Sequence, residues 1–501
     1  MNEALGELSF LDNSIIIVYF ILVLGIGLYY SQKKDQDTQD YFLAGRNLGW
    51  FAIGISIFAT NISSEHFLGL AGSGAKRGIA VGQFEWMAVF ILFLLGYFLA
   101  PIYIKSGVYT VPEFLEKRFD RRSRLYLTSV SILAYILTKI SITLFAGGLI
   151  LHEILDWDIY TSTLIMVLLT GIYTVAGGLK AVISTQIFQT VLLLVGAILV
   201  TLFGLHEVGG LQGLTSKLPA DYFTMIKPAS DPDFPWTGIL FGAPIIGFWY
   251  WCTDQYIVQR IFAARSISDA QKGTFLTAVL KIFPVFIFVL PGLIAVALFP
   301  GAKGDQAFPF LLSSHLLPIG VKGLVIAGVF AAIMSSLASV FNSASTLFTM
   351  DYYRLYNPKA TERKLVLVGR LATTIIVISA ILWVPLMKLI SSEIYVYLQS
   401  VQAYISPPIA AVFILGITSK KINSSGAIWG LAIGGTLGLL RLIFEMLVHN
   451  NAVNNLMISW FVNINYLHFA VFLFGISSLA MLIVSHFYSL PVISSVNYKK
   501  V

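Results

Sequence analysis

Long apolar stretches separated by short polar turns run along nearly the whole chain. A hydrocarbon core of about 30 Å takes roughly 20 apolar residues of helix to cross. Stretches of that kind fall at 13–31, 48–74, 79–104, 124–153, 159–176, 181–205 and 236–258, and again at 268–299, 320–350, 365–388, 394–415, 424–447 and 464–487. The pattern predicts an all-α membrane protein with about thirteen spans. Several exceed the minimum length, which predicts tilt or interruption. The longest connection, 206–235, carries Gly209, Gly210, Gly213 and several prolines and reads as a loop.

Two stretches carry signs of interruption. In 48–74 the run FAIGISIFA gives way to Thr60-Asn61-Ile62-Ser63-Ser64-Glu65-His66 before FLGLAGSG resumes. In 236–258, Gly242, Pro244 and Gly247 stand just ahead of FWYWCTDQ. Each opens a set of five spans, as an inverted five-plus-five repeat would, and broken helices at membrane depth free backbone groups for ions and substrate. Kinked packing helices explain the same residues without function.

A third stretch, 320–350, places Ser335, Ser336, Ser339, Asn342, Ser343 and Thr346 at three- and four-residue intervals, a single polar face on an apolar helix. Hydroxyls and free carbonyls are ligands for a hard cation such as sodium. Close helix packing also uses small residues, so one or two hydroxyls as ligands and the rest as packing suffices. Ionisable residues inside spans are functional candidates by default. Here they are Glu85, Lys139, Lys281, Arg441 and Glu445. Arg441 and Glu445, four apart, face each other on one helix. Glu85 and Lys281 serve either as ligands of a hydroxylated solute or as each other's counter-charge. His66 is either a donor to substrate or a satisfied pore histidine.

Composition agrees with the lipid reading: 57% of residues are hydrophobic and 11% charged, against about 25% charged in soluble domains. Mean hydropathy is +0.82. The net charge of +7 implies no nucleic-acid partner once the basic residues are located. If residues 1–12 lie outside, twenty-two Lys and Arg fall on inward segments: Lys33, Lys34, Arg46, Lys105, Lys117, Arg118, Arg121, Arg122, Arg124, Lys180, Arg260, Arg265, Lys272, Arg354, Lys359, Arg363, Lys364, Arg370, Lys420, Lys421, Lys499 and Lys500. Only Lys76, Arg77, Lys217, Lys227, Lys303, Lys322 and Lys388 fall on the other side. The positive-inside rule then places the N-terminus outside and the C-terminus in the cytoplasm. Residues before the first apolar run are acidic, so that run is expected to stay as an anchor rather than be cleaved. The single cysteine, Cys252, supports neither a disulfide framework nor a thiolate metal site. No nucleophile arrangement or phosphate loop points to an enzyme.

The chain resembles the sodium/solute symporter family, and within it the sodium/glucose cotransporters. The stretches that carry the resemblance are ATNISSEHFLGLAGSG at 59–74, FEWMA at 84–88, PIYIKSGVYTVPEFLEKRF at 101–119, TKIS at 138–141 and AGGLKAVI at 176–183. They continue with YWCTDQYIVQR at 250–260, SSLASVFNSASTLFTMD at 335–351, YLQSVQAYISPPIAAVF at 397–413 and RLIFE at 441–445. The resemblance implies a LeuT-like fold: a leading helix with its loop (1–47), a first repeat (48–205), the loop 206–235, a second repeat (236–418), and two trailing helices with a tail (419–501). It implies a sodium site from the carbonyls of Ala59, Ile62 and Ala332 and the hydroxyls of Ser335 and Ser336. It implies a sugar site from Asn61, His66, Glu85, Lys281 and Gln399, with Tyr250 stacking on the sugar as an inner gate and Trp251 beside it.

The implied function is sodium-driven uptake of a neutral glucose- or galactose-like hexose across the plasma membrane, the inner membrane in a bacterium, with no obligate protein partner indicated. Myo-inositol or another small organic solute fits the same reading, as does, in a different class, a sugar sensor or passive sodium and solute channel. Proton coupling through Glu85 or His66 stays open. Two departures matter. Relatives carry an aspartate where this chain reads Ser184-Thr185-Gln186, which implies one sodium per sugar, and Gly247 stands where relatives place a sugar-contacting side chain, which implies extra room.

Overall fold

The computed structural model describes residues 8–31, 37–302, 304–383, 394–449 and 455–488. Lys33, Lys34, Lys303, Lys388, Lys499 and Lys500, and the last residues of the expected span 365–388, lie outside the described residues. Among the described residues the protein is helical throughout, with two isolated bridges, Leu48 to Ala264 and Lys227 to Pro235, and no strand.

Ten helices among the described residues are long and apolar enough to cross a membrane. The other three expected spans are absorbed into broken or folded elements. The stretch 48–74 stops as a helix at Asn61, because Ile62 takes an extended conformation (φ −76°, ψ 117°), and restarts as a wide turn at His66–Leu70. The stretches 159–176 and 181–205 belong to one 50-residue helix, Ile159–Val208, folded at Gly178 (φ 53°, ψ −151°). That φ suits glycine, and a Cβ there would come within 2.5 Å of the Tyr41 carbonyl oxygen. The two arms lie side by side. Tyr173 Oη donates to Met334 O at 3.2 Å, while Gln189 Nε2 donates to Tyr19 Oη at 3.2 Å, which in turn reaches Met334 Sδ at 3.5 Å. Sixteen residues of straight helix would separate positions 173 and 189 by about 24 Å.

The third case corrects the sequence reading. Gly242 stays right-handed (φ −89°, ψ −46°) between the short helices Trp236–Phe241 and Ala243–Phe248, so glycine and proline there only bend the chain against Leu467. The break comes at Asp254 (φ −82°, ψ 123°), whose carboxylate accepts from the Tyr256 amide and starts the helix Gln255–Phe262. An acidic N-cap, rather than the preceding glycines, ends the first segment.

Burial identifies the centre. In the helix Val321–Tyr356, 94% of the most apolar stretch is buried, against 28% for the leading helix Phe10–Tyr30, 22% for Ser424–Val448 and 33% for Tyr466–Phe487. The leading and two trailing helices therefore flank a core around the serine-bearing helix. Its start is held by Asp12 of the leading helix, whose Oδ1 accepts from Gly320 N at 2.8 Å and Gly323 N at 2.7 Å. Its far end is held by Asp351, which is fully buried. Asp351 accepts from Thr110 Oγ1 at 2.7 Å, Arg124 Nε at 2.8 Å and Thr128 Oγ1 at 3.0 Å. Arg441 is anchored mainly by carbonyls, among them Ile464 O at 2.9 Å, and only approaches Glu445 at 4.0 Å, while Glu445 accepts from Tyr404. The pair expected from spacing is thus a minor contact.

Removing one partner of a buried pair leaves the other charge unanswered, at a cost of about 3–5 kcal/mol. Asp351→Ala is expected to lower the thermal midpoint of the detergent-solubilised protein markedly, and a midpoint unchanged from wild type would contradict this account of the anchor.

Candidate functional site

The helix Trp50–Asn61 is buried from Ile53 onward except at Ile55. Where it unwinds, backbone oxygens that would continue its ladder must find other partners, because an unsatisfied carbonyl inside a membrane costs several kcal/mol. The serine-bearing helix supplies them. Ser335 Oγ lies 3.0 Å from both Ala59 O and Ala332 O, and Ser336 Oγ lies 3.2 Å from both Thr60 O and Ile62 O. Tyr256 Oη also donates to Thr60 O. The five groups expected at a sodium site thus fall into two sets on consecutive serines, Ser335 with the Ala59 and Ala332 carbonyls and Ser336 with the Ile62 carbonyl. Four carbonyls face three hydroxyls, those of Ser335, Ser336 and Tyr256, each with a single proton. Such an excess of oxygen lone pairs suits a hard cation.

The rest of the serine face is bound within the protein. Ser339 Oγ receives Arg260 Nη2 at 2.6 Å and Gln186 Nε2 at 2.8 Å, while Gln259 bridges Asn342, Ser343 and Thr346. Packing and internal hydrogen bonding therefore account for the lower part of the face, as the spacing alone allowed.

Beside the cluster lies a cavity whose empty space, counted with its open mouth, is about 520 Å³. Asn61, His66, Glu85, Tyr250, Trp251, Lys281 and Gln399 all line it, together with Glu65, Phe84, Met87, Tyr395 and Gln402. Lys281 pairs with Glu85 and donates to Asn61 Oδ1 at 2.7 Å, so the two lone charges of the sequence answer each other. Asn61 Nδ2 then donates to Tyr250 Oη at 3.0 Å. His66 Nε2 stands 3.7 Å from Glu85 Oε1, and Gln399 Nε2 donates to Tyr395 Oη at 3.0 Å. The room expected at Gly247 is largely filled: a Cβ there would meet Ile91 Cδ1 and come within 3.3 Å of Met87 Cε.

Below the cavity, Lys139 pairs with Asp254 at 2.9 Å and lies 4.3 Å from the Tyr250 ring centre and 3.9 Å from that of Tyr256. Tyr135 also donates to Asp254. Arg260, read from the sequence as an inward loop charge, is fully buried. It donates to Ser56 Oγ at 3.1 Å, Tyr256 O at 2.8 Å and Ser339 Oγ, and no carboxylate lies within ion-pair reach among the described residues. Gln186 sits in the same network, accepting from Ser56 Oγ at 2.6 Å and donating to Thr60 Oγ1 and Ser335 O at 3.1 Å each. Sequence reasoning missed Glu65, Asp254, Arg260, Tyr395 and Gln402. The first two lie next to a helix break, where a charge is itself a signal. Arg260 ended an apolar run and so passed for a loop residue.

Comparison with known proteins agrees with this geometry. The family model described as "Sodium:solute symporter family" matches residues 41–434. The chain is similar to mouse sodium/glucose cotransporter 4, at 40% identity over 97% of this chain and 76% of that protein. It is similar to rabbit sodium/glucose cotransporter 1, at 39% identity over 95% of this chain and 78% of that one. Among solved structures, a substrate-bound, outward-open Na+-coupled sialic acid symporter superposes with a TM-score of 0.81 at 25% identity, covering 96% of this chain and 99% of that chain. A nucleobase-cation-symport-1 family transporter, at TM-score 0.56 and 14% identity, shares the fold. The fold is the LeuT-like arrangement that the resemblance implied, in a multi-pass membrane transporter rather than an enzyme. With the match spanning most of the length and the oxygen cluster and polar cavity on adjoining faces of one broken helix, the chain belongs to the sodium:solute symporter family.

Proposed function

We propose that the protein is a secondary active symporter that couples inward sodium flow to uptake of a neutral hexose by alternating access, with one sodium per sugar. The observation that carries this reading is the double use of residues 59–66. Their carbonyls face the serine hydroxyls, and the side chains of Asn61 and His66 face the cavity. A cation bound by Ala59, Ile62, Ala332, Ser335 and Ser336 would fix the segment that presents Asn61 and His66 to sugar. Sugar held by Asn61, His66, Glu85, Lys281 and Gln399 would fix the carbonyls in turn, and thermodynamic linkage makes the two effects equal. Tyr250 and Trp251 form the aromatic floor against which the sugar ring stacks and which opens toward the cytoplasm. The sodium/glucose cotransporters named above support the substrate class, and myo-inositol suits the same hydroxyl-binding chemistry.

One sodium suffices energetically. Moving one charge through about 100 mV yields roughly 2.3 kcal/mol, and a tenfold sodium gradient adds about 1.4 kcal/mol, which together support accumulation of several hundredfold. Gln186 in place of a carboxylate favours that stoichiometry. We assign the repeats to 48–205 and 236–418, with 1–47 leading, 206–235 as an extracellular loop and 419–501 trailing. The N-terminus lies outside and the C-terminus inside the plasma membrane, on the strength of the basic residues.

In liposomes containing purified protein, a sodium gradient is expected to drive accumulation of a hexose or myo-inositol. A solute panel that equilibrates without accumulating would instead mark a channel or sensor. Losing one ligand oxygen is worth about 1.4 kcal/mol, a tenfold change. Ser336→Ala is thus expected to raise the sodium concentration for half-maximal uptake about tenfold, and Gln399→Ala the sugar KM by a similar factor. Equal sensitivity of wild type and Ser336→Ala to sodium would reject the site. Reversal potentials should report one charge per sugar, whereas a value of two would refute the stoichiometry. Because Cys252 is buried, introduced thiols can be read cleanly. A membrane-impermeant reagent applied outside should label Lys217→Cys and spare Lys359→Cys, and the reverse pattern would invert the topology.

A further inference from the structure

The charges around the cavity do not balance. Lys281 answers Glu85 and Lys139 answers Asp254. Glu65, which also lines the cavity, is left over. Its side chain keeps 15% of its surface exposed, and the hydrogen-bonding side chain at its carboxylate is the neutral Ser63. Among the described residues no lysine or arginine forms an ion pair with it, and His66 Nδ1 stands 3.9 Å away. That nitrogen already accepts from the Ser63 amide at 3.4 Å, which puts the imidazole proton on Nε2, facing Glu85. Glu65 therefore meets a lone pair on His66 rather than an N–H.

Two neighbouring amides have hydrogen-bonding capacity to spare for a ligand. Gln399 uses its Nε2 on Tyr395, which leaves its Oε1 for the cavity, and the Gln402 amide has no protein partner among the described residues. Of the acidic and basic side chains other than His66 that line the cavity, two are acidic, Glu65 and Glu85, and one is basic, Lys281. Buried acceptors that lack donors are costly, so the fitting ligand is rich in O–H or N–H groups and carries no anion.

Resting on the symport reading above, we propose that Glu65 contacts the substrate and selects it by charge, accepting hydrogen bonds from hydroxyl or protonated amino groups and rejecting sugars that bear a carboxylate. The residue is thus a specificity determinant distinct from the Glu85–Lys281 pair, whose charges cancel. It also extends the cargo class to aminated sugars.

The test uses sodium-driven uptake into liposomes of three related compounds: the neutral hexose accumulated best, its amino analogue at a pH that keeps the amine protonated, and its uronate. A unit charge a few ångströms away in a partly dry cavity changes affinity about tenfold or more. Wild type is therefore expected to carry the amino sugar comparably to the neutral one and the uronate at least about tenfold less well. Glu65→Gln should narrow the gap between uronate and neutral sugar about tenfold, and Glu65→Asp should keep it. Uronate carried by wild type as well as the neutral hexose would overturn the proposal without any variant. So would a ratio unmoved in Glu65→Gln, and in both cases sodium-driven uptake of the neutral sugar would leave the symport reading standing. If no neutral sugar accumulates, the symport reading falls, and this proposal with it.

Discussion

Unwinding a helix inside a membrane creates an obligation, because carbonyl oxygens released from the ladder have no water to turn to. At Ile62 that obligation is met by two serines and a tyrosine reaching in from residues 335, 336 and 256, in the other half of the chain. The position of the serine helix follows from it, and so does the direction in which Asn61 and His66 point. The clamps at Asp12 and Asp351 make sense in the same light, since a helix that must present hydroxyls to a particular break cannot be left to slide along its axis.

Ion pairs repeat this cross-chain logic. Glu85 joins Lys281, Lys139 joins Asp254, and Arg124 joins Asp351. Every one of these pairs links a residue before the 206–235 loop to one after it. Charges that would be prohibitive alone in hydrocarbon become the ties between the two halves. Any relative movement of the elements they join has to preserve such ties or exchange them for water.

Much of this was legible in the chain because a polar residue inside an apolar run has few innocent explanations. The break near Asn61, the serine face, and Glu85 with Lys281 all stood out on that ground, and all of them converge on one region. What could not be read is what depends on the third dimension. The spacing of Arg441 and Glu445 looked like a pair, yet carbonyls from 461 and 464 hold the arginine. Gly247 looked like empty space until Met87 and Ile91 filled it. Gly242 and Pro244 outweighed Asp254 as a break signal, although an N-cap is the stronger device. The fold at Gly178 was read as two spans, and the reason it must be glycine, the Tyr41 carbonyl against it, comes from 137 residues away.

The buried guanidinium of Arg260 carries a consequence for anyone who would build a further cation site beside Gln186. Placing an aspartate at position 186 looks like the obvious route, since the Gln186 amide touches both Thr60 and Ser335. Yet Gln186 and Arg260 share Ser56 and Ser339 as partners. A carboxylate installed there would first neutralise the arginine, and the resident cation would outcompete any visiting one. Engineering such a site would therefore require altering two positions together, one to add the negative charge and one to withdraw the positive charge that waits for it.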